Sequence, residues 1–179
     1  GGAIAIGDVD GDSKSDLVLG APSADSNGAN SGSAWVILSG LIDDTPATST
    51  GNNLSLAAAS SYNLRYAGPE SSANLTDGGA IAIGDVDGDS KSDLVLGAPS
   101  ADSNGANSGS AWVIFSRLID DTPATSTGNN LSLAAASSYN IRYAGPESYA
   151  YLTDGGAIAI GDVDGDSKSD LVLGAPSAD

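Results

Sequence analysis

The sequence predicts an all-β protein made of small antiparallel sheets arranged in tandem, and three observations support this fold class. A unit of 77 residues recurs, so that residues 155–179 repeat the first 25 residues without change. The chain contains 24 Gly and 7 Pro among 179 residues, and its apolar runs are short, as in proteins with many strands and turns. No segment shows a convincing 3.6-residue period of an amphipathic helix.

The repeat divides the chain into unit 1 (1–77), unit 2 (78–154) and the start of unit 3 (155–179). We expect the sequence to be a window on a longer tandem array, because it starts and stops within the same part of the unit. Units 1 and 2 differ at five pairs of positions: Leu38/Phe115, Gly40/Arg117, Leu64/Ile141, Ser72/Tyr149 and Asn74/Tyr151. Near-identical units can form identical junctions, and a unit this small is expected to stack on its neighbours to become stable.

Each unit is expected to contain about four short strands. The strand signals of unit 1 lie at 3–6, 16–19, 34–38, 54–56 and 62–66. The strongest of them is Ala34-Trp35-Val36-Ile37-Leu38, which is rich in β-branched and aromatic residues. The second ends at Gly20-Ala21-Pro22, because proline cannot continue a strand ladder. The polar segments between these runs read as loops, and no helix is predicted.

An acidic loop between the first two strands carries the chemistry of the unit. Carboxylates stand at loop positions 1, 3, 5 and 9, and a lysine at position 7 is expected to turn its backbone oxygen inward. Alternating oxygen ligands around a glycine are what Ca²⁺ requires, so we predict one Ca²⁺ per repeat. An acidic solvated turn and a magnesium site are the alternatives. The predicted ligands are Asp8, Asp10, Asp12, Lys14 (backbone O) and Asp16; Asp85, Asp87, Asp89, Lys91 (backbone O) and Asp93; and Asp162, Asp164, Asp166, Lys168 (backbone O) and Asp170.

The loop and its continuation, GDVDGDSKSDLVLGAP, resemble the FG-GAP repeat of integrin α-subunit propellers and related secreted bacterial proteins. The resemblance implies four-stranded antiparallel blade-like units, in a β-propeller or in an open repeat array, with the calcium loop joining two strands of a blade. Gly1-Gly2 and its copies replace the Phe-Gly that names the family. Ser13, Ser90 and Ser167 replace the usual second glycine of the loop. The 77-residue period is also longer than the usual blade.

Composition excludes several classes of function. Lys+Arg 6 against Asp+Glu 23 gives a net charge of −17, which repels nucleic-acid phosphates and anionic lipids. The chain has no Cys and no His, which excludes disulfides, the usual zinc sites and a Ser-His-Asp triad. No apolar run is long enough to span a membrane. The lone Glu70 and Glu147 make poor acid-base partners, so we expect no enzyme.

These features predict a secreted, calcium-binding structural repeat that assembles with copies of itself into an extracellular filament or surface layer. The alternative is an adhesion module of the integrin type that binds glycans or surface proteins. Identical copies of the loop at 23–32 favour the first reading. The paired aromatics Tyr149 and Tyr151 suit sugar stacking or docking of a neighbouring chain, and sequence drift at a tolerant loop is the alternative. Candidate N-glycosylation triplets begin at Asn53, Asn74 and Asn130, and residues 43–52 form a solvated loop or an O-glycosylated one.

Overall fold

The computed structural model describes residues 2–43, 54–120 and 129–179, and over these residues it confirms the predicted all-β class. Unit 1 contains β1 (Ile4–Gly7), β2 (Asp16–Ala21), β3 (Ser33–Ile37) and β4 (Leu64–Ala67). Unit 2 contains β5 (Ile81–Gly84), β6 (Asp93–Ala98), β7 (Ser110–Ile114), β8 (Asn129–Ser132) and β9 (Ile141–Ala144). Unit 3 contains β10 (Ile158–Gly161) and β11 (Asp170–Leu173). Strand β2 ends immediately before Pro22, as predicted.

Each complete unit folds as an antiparallel meander. Strands β1, β2, β3 and β4 are neighbours in that order, and β5, β6, β7 and β9 repeat the arrangement. The registers are the same in both units, since Leu19 faces Trp35 and Leu96 faces Trp112. Strands β10 and β11 form a hairpin that repeats the pairing of β1 with β2. The four-stranded antiparallel unit expected from the sequence is therefore present twice.

One predicted strand lies elsewhere than expected. In unit 1, residues 54–56 do not form a strand, whereas their copy in unit 2 belongs largely to β8, which pairs in parallel with β4 of unit 1. The Tyr62 hydroxyl donates a hydrogen bond to Asn130 Oδ1 across this junction at 2.9 Å. The segment thus pairs with the edge of the preceding unit, so a period-2 pattern within one unit does not determine where it lies.

Short helical segments follow the third strand of each unit, and the sequence did not predict them. Helices α1 (Ser39–Asp43) and α2 (Ser116–Asp120) have five residues each, too few to show a period. Turns of 3-10 helix lie at Ala59–Ser61, Asp77–Gly79, Ala136–Ser138 and Asp154–Gly156. Within the described ranges, no helix has the length and apolar character needed to cross a membrane.

The hydrophobic core lies between the sheets of units 1 and 2. Its larger buried side chains come from both units: Val18, Val36, Leu64 and Tyr66 from unit 1, and Leu94, Leu96, Trp112, Ile114, Ile119 and Leu133 from unit 2. Stacking therefore buries apolar surface that a single sheet leaves open, as expected of small repeat units.

The first strands of the three units lie side by side, in the order β1, β5 and β10. The glycines that end β1 and β5 each lie against an isoleucine from the next unit. A Cβ atom on Gly7 would lie 2.7 Å from Ile83 Cγ2, and one on Gly84 would lie 2.8 Å from Ile160 Cγ2. Glycine is thus required here by the close approach of neighbouring units, and the acidic loops that follow these strands lie at successive junctions.

Candidate metal centre

The acidic loop of unit 1 spans residues 8–16 and connects β1 to β2. Its tight course depends on two residues with positive φ, Gly11 at +80° and Ser13 at +68°. Ser90 and Ser167 adopt the same left-handed conformation, with φ of 72° and 70°. The serine that replaces the expected second glycine therefore preserves the loop geometry at a cost in backbone strain.

Backbone amides orient the carboxylates at the two ends of the loop. Asp8 accepts hydrogen bonds from Gly11 N–H at 2.7 Å and from Ser13 N–H at 2.8 Å, one on each oxygen. Asp16 accepts from Val9 N–H on one oxygen and from Ser39 N–H on the other, both at 2.8 Å. The corresponding bonds of Asp85 and Asp93 in unit 2 are 2.8–3.0 Å long.

The structure brings together the carboxylates at loop positions 1, 3 and 9 of every copy. In each group the three side chains offer oxygens that lie within 4.8 Å of one another: Asp8, Asp10 and Asp16; Asp85, Asp87 and Asp93; Asp162, Asp164 and Asp170. Two oxygens bound to one Ca²⁺ at 2.3–2.6 Å lie at most about 5 Å apart, so these spacings fit a shared calcium ion.

The carboxylate at position 5 lies outside each of these groups of three. Asp12 instead accepts hydrogen bonds from Lys14 N–H at 2.8 Å and from the Ser39 hydroxyl at 3.1 Å. The equivalent Asp89 and Asp166 accept from the amides of Lys91 and Lys168 at 2.9 and 2.8 Å. Ligation by position 5 and by the three lysine carbonyl oxygens stays a prediction.

Electrostatics make the group costly to bury without a cation. Asp16 is 1% exposed and Asp93 is 0% exposed. Burial raises the pKa of both carboxyls, and neighbouring aspartates raise it further, while amide hydrogen bonds act in the opposite direction. Burial likewise raises the pKa of Asp10. A divalent cation among these oxygens would reverse the unfavourable charge balance.

A serine that the sequence reasoning missed completes the site. Ser39 begins α1, 23 residues after Asp16, and its amide and hydroxyl both reach the acidic loop. Its copy Ser116 is fully buried and donates its amide to Asp93, yet its Oγ has no hydrogen-bond partner. An unpartnered buried hydroxyl beside oxygen ligands fits a hard cation. No spacing rule identifies this residue, because it lies far from the loop in sequence and is brought to it only by the fold.

Successive loops also contact each other through lysine. A Cβ on Gly11 would lie 2.7 Å from Cδ and 3.0 Å from Nζ of Lys91, which belongs to the loop of unit 2. The side chain of Lys91 therefore lies across the unit 1 loop. Lys168 of unit 3 lies less close to the unit 2 loop, because a Cβ on Gly88 would be 3.9 Å from Lys168 Cδ.

Comparison with known families matches the FG-GAP repeat at three places, residues 1–37, 78–114 and 155–179. The chain belongs to the FG-GAP repeat family. Each match contains one complete acidic loop together with the strands on either side, which confirms the resemblance seen in the sequence. FG-GAP repeats are structural and binding repeats of the β-propeller type, and they occur in extracellular or surface proteins. No curated protein matched the chain significantly.

The remaining predicted site residues are the three candidate glycosylation asparagines. Asn53 lies outside the described residues. Asn74 donates its side-chain nitrogen, the atom that would carry a sugar, to Ser72 O at 3.1 Å and Ser100 Oγ at 3.3 Å. Asn130 is exposed and uses its Oδ1 to accept from Tyr62. Glycosylation at these positions stays a prediction.

Proposed function

We propose that this FG-GAP chain is a non-enzymatic, calcium-binding structural repeat, and that it builds an extracellular filament or surface layer by stacking identical units. In this proposal a calcium ion stabilises each unit, and the principal binding partners of the chain are copies of the same unit. The observation that carries the proposal is the recurrence of the same group of three converging carboxylates in the loop of every unit.

The calcium part of the proposal rests on chemistry and position. Asp8, Asp10 and Asp16 would hold the ion in unit 1, with their copies doing the same in units 2 and 3. A bound ion would tie β1 to β2 and, through Ser39, to the start of α1. Calcium at about ten times its Kd would add about 1.4 kcal/mol to the stability of each site.

Isothermal titration calorimetry of the purified chain tests this part directly. We expect binding of up to three Ca²⁺ per chain and a higher melting temperature in calcium than in chelator. The matched control replaces loop positions 1 and 3 in all three copies: Asp8, Asp10, Asp85, Asp87, Asp162 and Asp164 to Asn. Equal calcium uptake by the control and the parent chain would show that the loops are not the sites.

The stacking part of the proposal rests on one face of the unit seen in two environments. In unit 1 this face lines an open apolar cavity formed by Leu17, Leu19, Ile37, Leu41, Ile42, Leu54 and Leu56. Their copies in unit 2 pack into the core against unit 1: Leu94, Leu96, Ile114, Leu118, Ile119, Leu131 and Leu133. The packing of unit 2 against unit 1 is therefore a template for the open face of unit 1, which the opposite face of another unit of the same sequence would cover.

Electron microscopy in millimolar calcium, repeated after chelation, tests the assembly. We expect fibres that fray or dissolve in chelator. Ile42→Lys places a charge on the open face, where Ile42 is 49% exposed, and should block fibre growth while the single chain stays folded. Discrete discs of propeller size, unaffected by this substitution, would contradict the filament.

A binding module of the adhesion type is the second candidate, and one observation favours it. Tyr149 and Tyr151 stand where unit 1 has Ser72 and Asn74, with ring centroids 6.4 Å apart and planes inclined by 47°. Tyr149 is 56% exposed, and exposed tyrosines can stack on sugar rings or dock a protein. Glycan-array binding by the parent chain that Tyr149→Ser with Tyr151→Asn abolishes would support this candidate.

A further inference from the structure

Two of the five differences between units 1 and 2 converge on one acidic loop. Phe115 stands where unit 1 has Leu38, and Arg117 stands where unit 1 has Gly40. Arg117 Nη1 donates to Asp87 Oδ2 at 2.5 Å. Its guanidinium carbon lies 4.4 Å from the centroid of the Phe115 ring. The aromatic ring therefore holds the guanidinium against the loop by a cation–π contact.

We propose that Phe115 and Arg117 lower the calcium affinity of unit 2 relative to unit 1, so that the two sites fill at different calcium concentrations. This inference rests on the proposed calcium function and adds a difference between sites whose loops are identical in sequence. It concerns loop position 3, because Asp87 belongs to the group of three carboxylates that converge in unit 2.

Competition for one carboxylate is the physical basis. Asp87 Oδ1 already accepts the Asp89 amide at 3.1 Å, and Arg117 occupies Oδ2. A calcium ion that uses Asp87 must share or displace the guanidinium, and a fixed positive charge beside the site opposes the arrival of a divalent cation. In the absence of calcium, the same guanidinium offsets the repulsion among the carboxylates.

Unit 1 provides the internal comparison. Gly40 has no side chain, and a Cβ built there would meet no atom within 4 Å, so the position has room for an arginine. Asp10 keeps the equivalent amide bond from Asp12, at 3.1 Å. Lys91 lies against the unit 1 loop and Lys168 approaches the unit 2 loop less closely, so the arginine itself is tested by changing it within one unit while the lysines stay constant.

The experiment isolates each site in the full chain. In the variant called the unit 2 chain, only the unit 2 loop is intact, because Asp10, Asp12, Asp164 and Asp166 of the other two loops are replaced by Ala. The unit 1 chain is made by replacing Asp87, Asp89, Asp164 and Asp166 by Ala. Calorimetric titration with calcium gives one affinity for each chain, and we expect unit 2 to bind about three- to tenfold more weakly than unit 1.

Arg117→Gly in the unit 2 chain should tighten calcium binding by about the same factor, and Leu38→Phe with Gly40→Arg in the unit 1 chain should weaken it. Arg142→Gln is the charge control, because Arg142 lies on the edge strand β9, which is separated by β7 from β6 and its acidic loop; it should leave the affinity unchanged. In chelator, Arg117→Gly should lower the melting temperature, since the apo loop loses its cation.

Three results separate this inference from the function on which it rests. If both chains bind calcium and Arg117→Gly changes neither the affinity nor the apo melting temperature, the inference is wrong and the calcium function stands. An equal fall in melting temperature with and without calcium, at constant affinity, would show a purely structural arginine and would also overturn it. If neither chain binds calcium, the proposed function itself fails.

Discussion

Units 1 and 2 have nearly the same sequence but occupy different environments. The sheet of unit 2 packs against unit 1 on one face and contacts unit 3 through its first strand, whereas one face of unit 1 lines an open cavity. Ile119 of unit 2 is 1% exposed, and its copy Ile42 in unit 1 is 49% exposed. Burial in this fold thus depends on the junction between units. The same side chain therefore contributes differently to the stability of the protein in unit 1 and in unit 2.

The largest expected effect comes from deleting the same side chain in both environments. Ile119→Ala removes buried methyl and methylene groups from the core and should destabilise the chain by about 2–4 kcal/mol. Ile42→Ala removes the same atoms from a half-open face and should cost less than about 1 kcal/mol. Urea denaturation followed by tryptophan fluorescence measures both. Equal losses would show that the two faces are equally packed in solution.

A second contrast uses the glycine that ends the first strand of each unit. Gly84→Ala would place a methyl group 2.8 Å from Ile160 Cγ2 and should destabilise the junction of units 2 and 3 by about 1–3 kcal/mol. At Gly161 a Cβ would meet no atom within 4 Å, so Gly161→Ala should change stability by less than about 0.5 kcal/mol. Hydrogen exchange at the β5–β10 contact locates the effect, and a neutral Gly84→Ala would contradict the close packing of these strands.

The acidic loops are common to both units and make the calcium-free chain sensitive to pH. The raised pKa of Asp16 and of Asp93 means that folding takes up protons at these carboxyls, so their contribution to stability is lost as pH rises through the folded pKa. In chelator and high salt, the melting temperature should therefore rise as the pH is lowered from 7 toward the ordinary pKa of an aspartate, 3.8. In saturating calcium the trend should reverse, because protons compete with the ion. A flat profile in chelator would mean that these carboxyls titrate normally.

Local signals were sufficient to predict much of this fold. The alternation of short apolar runs with Gly and Pro turns predicted the positions of β2 and β3 closely, because these signals depend only on residues near to each other in sequence. Spacing alone predicted that the carboxylates at positions 1, 3, 5 and 9 would surround one ion, and the structure brings together those at positions 1, 3 and 9. Stacking of the units followed from the small size of each repeat.

Long-range contacts account for what sequence reasoning missed. Ser39 reaches its loop because the pairing of β2 with β3, with Leu17 opposite Ile37, brings the end of β3 beside Asp16. Asn129–Ser132 pairs in parallel with β4, at the edge of the preceding unit. Arg117 was visible as a difference between units, but its partner Asp87 lies 30 residues earlier in the chain. Periodicity within one unit carries no information on such pairings.

The smallest expected effect concerns the two tyrosines that distinguish unit 2. Tyr151 has φ of +52°, and Asn74 holds the same conformation in unit 1 with φ of +54°. Asparagine tolerates this left-handed region better than tyrosine and would regain side-chain hydrogen bonds like those of Asn74. Tyr151→Asn should therefore stabilise unit 2 by about 0.5–1 kcal/mol, and Asn74→Tyr should destabilise unit 1 by a similar amount, both measured by the shift in urea midpoint.

Tyr151→Asn also removes the contact between the two tyrosine rings, which should reduce the stabilisation. This loss should be small, because Tyr149 is largely exposed. A loss of stability in Tyr151→Asn would show that the ring pair outweighs the backbone strain and belongs to the packing of unit 2. A gain would mean that unit 2 keeps an unfavourable pair of tyrosines at its surface. Strain retained at an exposed aromatic pair is the pattern expected of a binding surface, which would strengthen the adhesion candidate without weakening the calcium one.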